Sequence, residues 1–189
     1  IKHRYCYVEA SRGCPFTCEF CLSSIDKKVR DVNIERFLDE LELLWQRGVR
    51  NFKFIDRTFN LSIVNANQLL DFFLSKKEPY FVHFEVVPDH FPKELKERII
   101  QFAPASLQLE VGIQTLDPII AKNIHRRLNI PKIKENLAFL QNETKAHLHV
   151  DLIIGLPGES IEGFGANLDM LYSLTQCEIQ IGILKKLSG

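Results

Sequence analysis

Strand-like and helix-like segments alternate from one end of this chain to the other, and that alternation limits the fold more than any other feature. Short apolar runs read as strands at residues 5–10, 51–56, 80–87, 106–113, 146–154 and 178–184. Helical patterns lie between them. Asn33 is placed to cap the first helix, which Gly48 closes, and Ile34, Phe37, Leu38, Leu41, Leu44 and Trp45 fall on one of its faces. Further helices are expected near residues 62–75 and 92–102. Asp117-Pro118 then makes an N-cap and first-position pair ahead of two pieces at 118–125 and 131–142. Ser160 caps the last helix, which carries Ile161, Phe164, Leu168, Leu171 and Leu174. These are about six βα units of roughly 30 residues each. Uninterrupted alternation of this kind means a parallel sheet with helices outside it. A closed eight-unit barrel takes roughly 250 residues, more than the 189 here. The expected fold is α/β: an open partial TIM barrel, (β/α)6, with parallel strands and outer helices.

Composition narrows the class without naming it. Lys+Arg 24 balances Asp+Glu 24, so no net field draws the chain to nucleic acid or an anionic membrane. No apolar run approaches the ~18 residues of a membrane span, and there is no signal peptide pattern. Five cysteines, three of them clustered, argue for reduced, metal-binding thiols in the cytoplasm and against a secreted disulfide framework. The only methionine is Met170. We therefore read residues 1–189 as one domain excised from a longer protein.

The three clustered thiols are Cys14-Pro-Phe-Thr-Cys18-Glu-Phe-Cys21, spaced C-x3-C-x2-C directly after the first strand. A closed zinc site and an ordinary four-iron cluster each want four protein ligands. Three close thiolates without an obvious fourth leave one metal corner open to a ligand that is not protein. The competing reading is a structural zinc loop completed by Cys6 or His3. Cys6 and Cys177 otherwise read as inert core thiols.

In parallel α/β folds, ligands sit beyond the carboxyl ends of the strands. Polar residues gather there in this sequence. Strand two ends Asp56-Arg57-Thr58, strand three carries Glu85 before Pro88, strand four Glu110 and Gln114, and strand five Asp151 ahead of Gly155-Leu156-Pro157-Gly158. A carboxylate among apolar neighbours is costly unless paired or solvated in a cleft. Glu85, Glu110 and Asp151, read as recurring at equivalent places, suggest a polar floor under a ligand with hydroxyls and an ammonium group. The bland alternatives are capping for Asp56 and structural pairing for the others. His147 and His149 alternate with Leu148 and Val150, and we assign them no ligand role. The Gly155–Gly158 turn lacks the Gly-Lys-Ser/Thr ending of a phosphate loop and reads as a tight turn that lets backbone approach a ligand closely.

The cysteine loop and its setting resemble the radical S-adenosylmethionine superfamily. The resemblance implies a [4Fe–4S] cluster on Cys14, Cys18 and Cys21, with S-adenosylmethionine chelating the open iron. Phe20 then flanks the adenine, alongside the turn at Leu156. Asp56, with Thr58, takes the place where the superfamily often has a Gly-Gly-Glu stretch that receives the cofactor's amino group. Glu85…Pro88, Gly112-Ile113-Gln114, Asn123…Arg126 and Asp151-Leu-Ile-Ile-Gly-Leu-Pro157 are similar to the oxygen-independent coproporphyrinogen oxidases. By that resemblance Glu85, Gln114, Arg126 and Asp151 hold the ribose and methionyl ends, with Arg127 a substitute for Arg126. Asp56-Arg-Thr-Phe-Asn60, Ser11-Arg-Gly-Cys-Pro15 and Ile183-Leu-Lys-Lys-Leu187 resemble proteins that carry a cobalamin-binding domain before the radical domain, such as the anaerobic magnesium-protoporphyrin monomethyl ester cyclases. That implies a cobalamin domain upstream, a further domain downstream, and an electron donor such as flavodoxin or ferredoxin. The substrate is a small molecule that this sequence does not specify, and tetrapyrrole chemistry, methylation and methylthiolation are all served by relatives. The alternative function is an iron–sulfur or zinc module without S-adenosylmethionine chemistry.

Overall fold

A computed structural model describes residues 4–185. Six strands form one sheet: β1 (Tyr5–Val8), β4 (Asn51–Phe54), β5 (Phe81–Val86), β6 (Leu107–Gln114), β7 (His147–Ile154) and β8 (Glu178–Ile183). They lie side by side in chain order, and every neighbouring pair is parallel. The sheet stays open, with β1 and β8 as its two edges. The helices that cross between strands are α1 (Ile34–Gln46), α2 (Ile63–Leu74), α3 (Lys93–Ile99), α4 (Pro118–Asn123), α5 (Ile130–Glu143) and α6 (Ile161–Leu174). This is the open (β/α)6 arrangement expected from the alternation.

The caps behave as their chemistry dictates. Asn33 accepts from the Arg36 amide, Asp117 from the amides of Ile119 and Ile120, and Ser160 from the Gly163 amide. Ser62 precedes α2 without making a side-chain cap. Strands β1 and β4 end two residues earlier than the apolar runs suggest, because the chain turns into the loops that carry Glu9 and Asp56. A short antiparallel ribbon, β2 (Ser11–Arg12) with β3 (Arg30–Asp31), was not expected. Two-residue strands carry no periodicity from which to read them.

Alternation along the strands divides the sheet into two chemistries. Phe52, Phe54, Val82, Phe84, Leu107, Leu109, Val111, Val150 and Leu152 belong to one buried core with helix residues such as Leu41, Leu70, Phe73, Leu95, Leu137 and Leu171. Phe84 is the hub of its aromatic part, stacked on Phe59 at 3.8 Å and packed against Phe54 at 4.6 Å between ring centres. Most residues of opposite parity are polar, among them Lys53, His83, Glu85, Gln108, Glu110, His149 and Asp151, with Phe81 and Ile153 as apolar exceptions. Helices thus cover the apolar face, and the inner face of the open barrel is left for polar groups.

Candidate active site

A cavity of about 500 Å³ opens at the carboxyl ends of the strands. The three thiols Cys14, Cys18 and Cys21 line it, together with Phe20, Arg57, Glu85, Glu110, Gln114, Arg126 and Asp151. Of the residues expected to hold a cluster or cofactor, only Asp56 and Leu156 lie outside this lining.

The cysteine loop is shaped by its backbone. Gly13 has φ +98°, and a Cβ there would come within 2.4 Å of the Lys28 carbonyl oxygen, so this position admits only glycine. The Cys14 amide donates to the Asp26 carbonyl at 3.0 Å, and the Cys21 amide to the Cys18 carbonyl at 3.1 Å. The Glu19 amide reaches the Ile124 carbonyl at 3.2 Å, tying the loop to the end of α4. Burial pushes the Cys14 thiol up from its ordinary pKa, with Cys18 and Cys21 adding to the effect.

Arg126 approaches the sulfurs from α4. His125, at φ +51°, turns the chain just after that helix. The Arg126 guanidinium then donates through Nη2 to the Gly112 carbonyl, while Nη1 lies 3.8 Å from Cys18 Sγ. Its Nε is buried without a partner. Arg127 also lines the cavity but is exposed. Gln114 sits at φ +70° where the β6–β7 register slips between Gly112 and Gln114.

The carboxylates form a graded set. Glu85 and Glu110 are directly in register on β5 and β6. Asp151 is not equivalent to them: it pairs with Gly112, one side-chain step nearer the mouth, and Glu110 faces His149 instead. Glu85 accepts from Arg57 Nη1 through both oxygens at 2.9 and 3.0 Å, yet burial still raises its pKa. Glu110 meets His83 Nε2 at 2.9 Å, and that hydrogen bond holds its carboxyl below the usual range. Asp151 meets no cation. Burial first, then the charges of Glu110 and Glu85 and a side-chain hydrogen bond with Glu110, push it up to about 7, and its Oδ1 is buried and unpaired. Glu110 is thus held toward its ionised form and Asp151 toward its protonated form, two neighbouring carboxyls pushed in opposite directions.

Asp56 is 3% exposed and is occupied elsewhere. It accepts from the Ala10 amide at 3.0 Å and from Ser11 Oγ at 2.7 Å, and it lines a separate 250 Å³ pocket between the first loop and α2. Leu156 packs with Ile120, Ile124 and Phe20 in a small apolar cluster behind the cavity. Cys6 and Cys177 pack against the main core, away from the three clustered thiols. His3, the other candidate for a fourth zinc ligand, and the end of the Ile183–Leu187 stretch lie outside the described residues.

Comparison with known proteins decides the family. The radical SAM superfamily profile matches residues 8–171. The chain belongs to the radical SAM superfamily. The ribosomal protein uS12 methylthiotransferase RimO of Phocaeicola vulgatus is 24% identical over 178 residues, 86% of this chain and 40% of that protein. An uncharacterized methyltransferase of Pyrococcus horikoshii is 39% identical over 74 residues, 38% of this chain and 16% of that one. Among solved structures, the radical SAM methyltransferase TsrM from Kitasatospora setae, with cobalamin and a [4Fe-4S] cluster bound, superposes with a TM-score of 0.80 at 18% identity, over 94% of this chain and 36% of that chain. Coproporphyrinogen III oxidase HemN from Escherichia coli gives 0.70 at 17% identity, over 97% and 44%. This radical SAM chain thus spans about two-fifths of the length of the relatives it matches.

Sequence reasoning missed the side chains that tune the carboxylates. Arg57 was visible beside Asp56, but its pairing with Glu85 depends on the register of β4 and β5. His83 shares parity with Glu85, and that signal could have placed it on the polar face. Asn60 was also missed: its amide donates to the carbonyls of Val87 and His90 at 2.9 and 2.6 Å and accepts from the Val87 amide at 2.7 Å. The two histidines given no role, His147 and His149, lie with Glu178 at the opposite end of the strands.

Proposed function

We propose that this domain binds a [4Fe–4S] cluster through Cys14, Cys18 and Cys21 and S-adenosylmethionine in the adjoining cavity, and that it acts as a radical enzyme domain. The observation that carries the reading is the sharing of one cavity by three thiols, Arg126 and three carboxylates. The donor set fits the cluster. Three thiols leave one iron without a protein sulfur, and the Arg126 cation beside Cys18 offsets the negative charge of a thiolate-bound cluster. The cavity volume suits a ligand of nucleoside size. When bound, the cluster supplies the electron for reductive cleavage of S-adenosylmethionine to methionine and a 5′-deoxyadenosyl radical.

The protein's own side chains would do the positioning. Arg126 has unused donor capacity at Nε and suits a carboxylate. Glu85 and Glu110 offer acceptors to ribose hydroxyls, and Gln114 an amide at the mouth. Asp151 offers a carboxylate that ionises when a cation arrives, and Phe20 an apolar face for a base. Asp56 we assign to holding the first loop, through Ala10 and Ser11. An outside one-electron donor of flavodoxin or ferredoxin kind is required. Methyl or methylthio transfer is the reaction type favoured by the relatives' names, with cobalamin, where it takes part, held by a separate domain of a longer protein.

The test is anaerobic reconstitution with iron and sulfide, then dithionite and S-adenosylmethionine. The expected product is 5′-deoxyadenosine, abolished in Cys18→Ser. A loaded cluster that yields none would instead support an iron–sulfur module without this chemistry, and a protein that takes up zinc and no cluster would support the structural zinc loop. The same cavity makes a thermodynamic prediction. A bound ammonium or sulfonium favours ionised Asp151, so S-adenosylmethionine binding near pH 7 should release a fraction of a proton. Titration calorimetry in buffers of different ionisation heat should show this for the parent domain and not for Asp151→Asn.

A further inference from the structure

At the amino ends of β7 and β8, outside the lining of the cavity that holds the cysteines, lies a second group of ligating side chains. His147 and His149 are two apart on β7 and so project to the same face. Glu178, the first residue of β8, pairs with His149 in the strand register. Its Oε2 lies 2.9 Å from His149 Nε2 and 3.4 Å from His147 Nε2. The ligand atoms of all three lie within 4.8 Å of one another. The imidazole rings are 4.8 Å apart and inclined at 57°, so neither ring stacks flat on the other.

We propose that His147, His149 and Glu178 form a binding site for a divalent transition-metal ion such as zinc. A lone carboxylate oxygen needs only one imidazolium to make an ion pair, yet here two ring nitrogens converge on it. Metal–nitrogen and metal–oxygen bonds of about 2.0–2.1 Å put neighbouring ligands of a tetrahedral ion roughly 3.3 Å apart. The two nitrogen–oxygen separations already bracket that spacing. Imidazole and carboxylate donors suit zinc, cobalt and nickel. Three protein ligands leave a fourth position open, as in zinc sites that keep a water. That position faces solvent, because β8 is an edge strand and both His147 and Glu178 are exposed.

The ion bridges β7 to the outermost strand. β8 gains little from burial: Ile181 and Ile183 are 46% and 71% exposed. A metal clip therefore fastens the part of the sheet that packing holds least. The two sites share no residue, although His149 stands opposite Glu110 of the cavity in the strand register.

The test uses tag-free protein in which Cys14, Cys18 and Cys21 are replaced by serine, titrated with cobalt(II) and followed by visible absorption. The expected result is one equivalent bound, with ligand-field bands and no thiolate charge-transfer band. Zinc should then displace the cobalt and raise the Tm. His149→Ala and Glu178→Gln in that background should weaken cobalt binding by more than the roughly 10–100-fold typical of an outer-sphere change, and abolish the Tm gain. Should the serine variant fold poorly, the cluster-loaded chain is titrated anaerobically with zinc, and the imidazole resonances are read by NMR. Those of His147 and His149 should shift together while those of His90 and His125 stay. Absence of stoichiometric cobalt binding, or binding indifferent to His149→Ala, or unmoved His147 and His149 resonances in the loaded chain, overturns the proposal and leaves the three residues as a surface ion pair.

Discussion

Asp151 carries the heaviest electrostatic penalty in the cavity, and its sign can be worked through. Its pKa rises from the ordinary 3.8 to about 7 on folding. The folded chain therefore binds more protons than the unfolded chain between those values, so this group's contribution lowers stability as pH rises from about 4 to 7. A three-unit shift corresponds to at most about 4 kcal/mol, and an open, wet cavity screens part of it. Asp151→Asn should therefore stabilise the ligand-free domain by about 1–2 kcal/mol at pH 8. At pH 4 it should do almost nothing. Urea denaturation at the two pH values checks this, and a gain at pH 4 equal to that at pH 8 would point to packing and not charge. The sequence made Glu85, Glu110 and Asp151 visible as carboxylates near strand ends. It could not tell their roles apart, because each is tuned by a residue distant in the chain: Arg57 for Glu85, His83 for Glu110, and no cation at all for Asp151.

Elements were legible where their signals were local. The caps at Asn33, Asp117 and Ser160, and the apolar face of α1, are written in neighbouring residues. Asp56 shows the opposite case, since its partners Ala10 and Ser11 lie 45 or more positions away. The wall of the cavity between β5 and α3 has the same character. Its backbone is held by Asn60, through three hydrogen bonds to Val87 and His90, and by Asn136, which donates to the Pro88 carbonyl at 3.0 Å. Val87, Pro88 and His90 all line the cavity. Asn60→Ala strands a buried amide and two carbonyls and should cost about 3 kcal/mol. Under the proposed function it should also raise the dissociation constant for S-adenosylmethionine at least several-fold. Guanidinium denaturation and equilibrium binding measure the two effects, and a loss of stability with unchanged binding would show that this wall does not shape the ligand site.

For the molecule as a whole, an open sheet has a stiff middle and two soft margins. β5 and β6 have paired neighbours on both sides and alternate residues wholly buried, whereas β1 and β8 each lack one neighbour. Native-state hydrogen exchange should find the slowest amides in β5 and β6 and much faster ones in β8; zinc, by the inference above, should slow β8 selectively. The alternation of apolar runs sufficed to foresee the sheet and its openness. Which polar groups meet across it depends on register, and register is written in no single segment. The hairpin-like closure of the cysteine segment has a last consequence. Its base is fastened by the Cys14 amide on Asp26 and by the close passage of Gly13 past Lys28, contacts made entirely by main chain. Oxidative damage that strips iron should thus slacken the tip alone, and a bleached sample should recover its colour on resupply of iron and sulfide without first being unfolded.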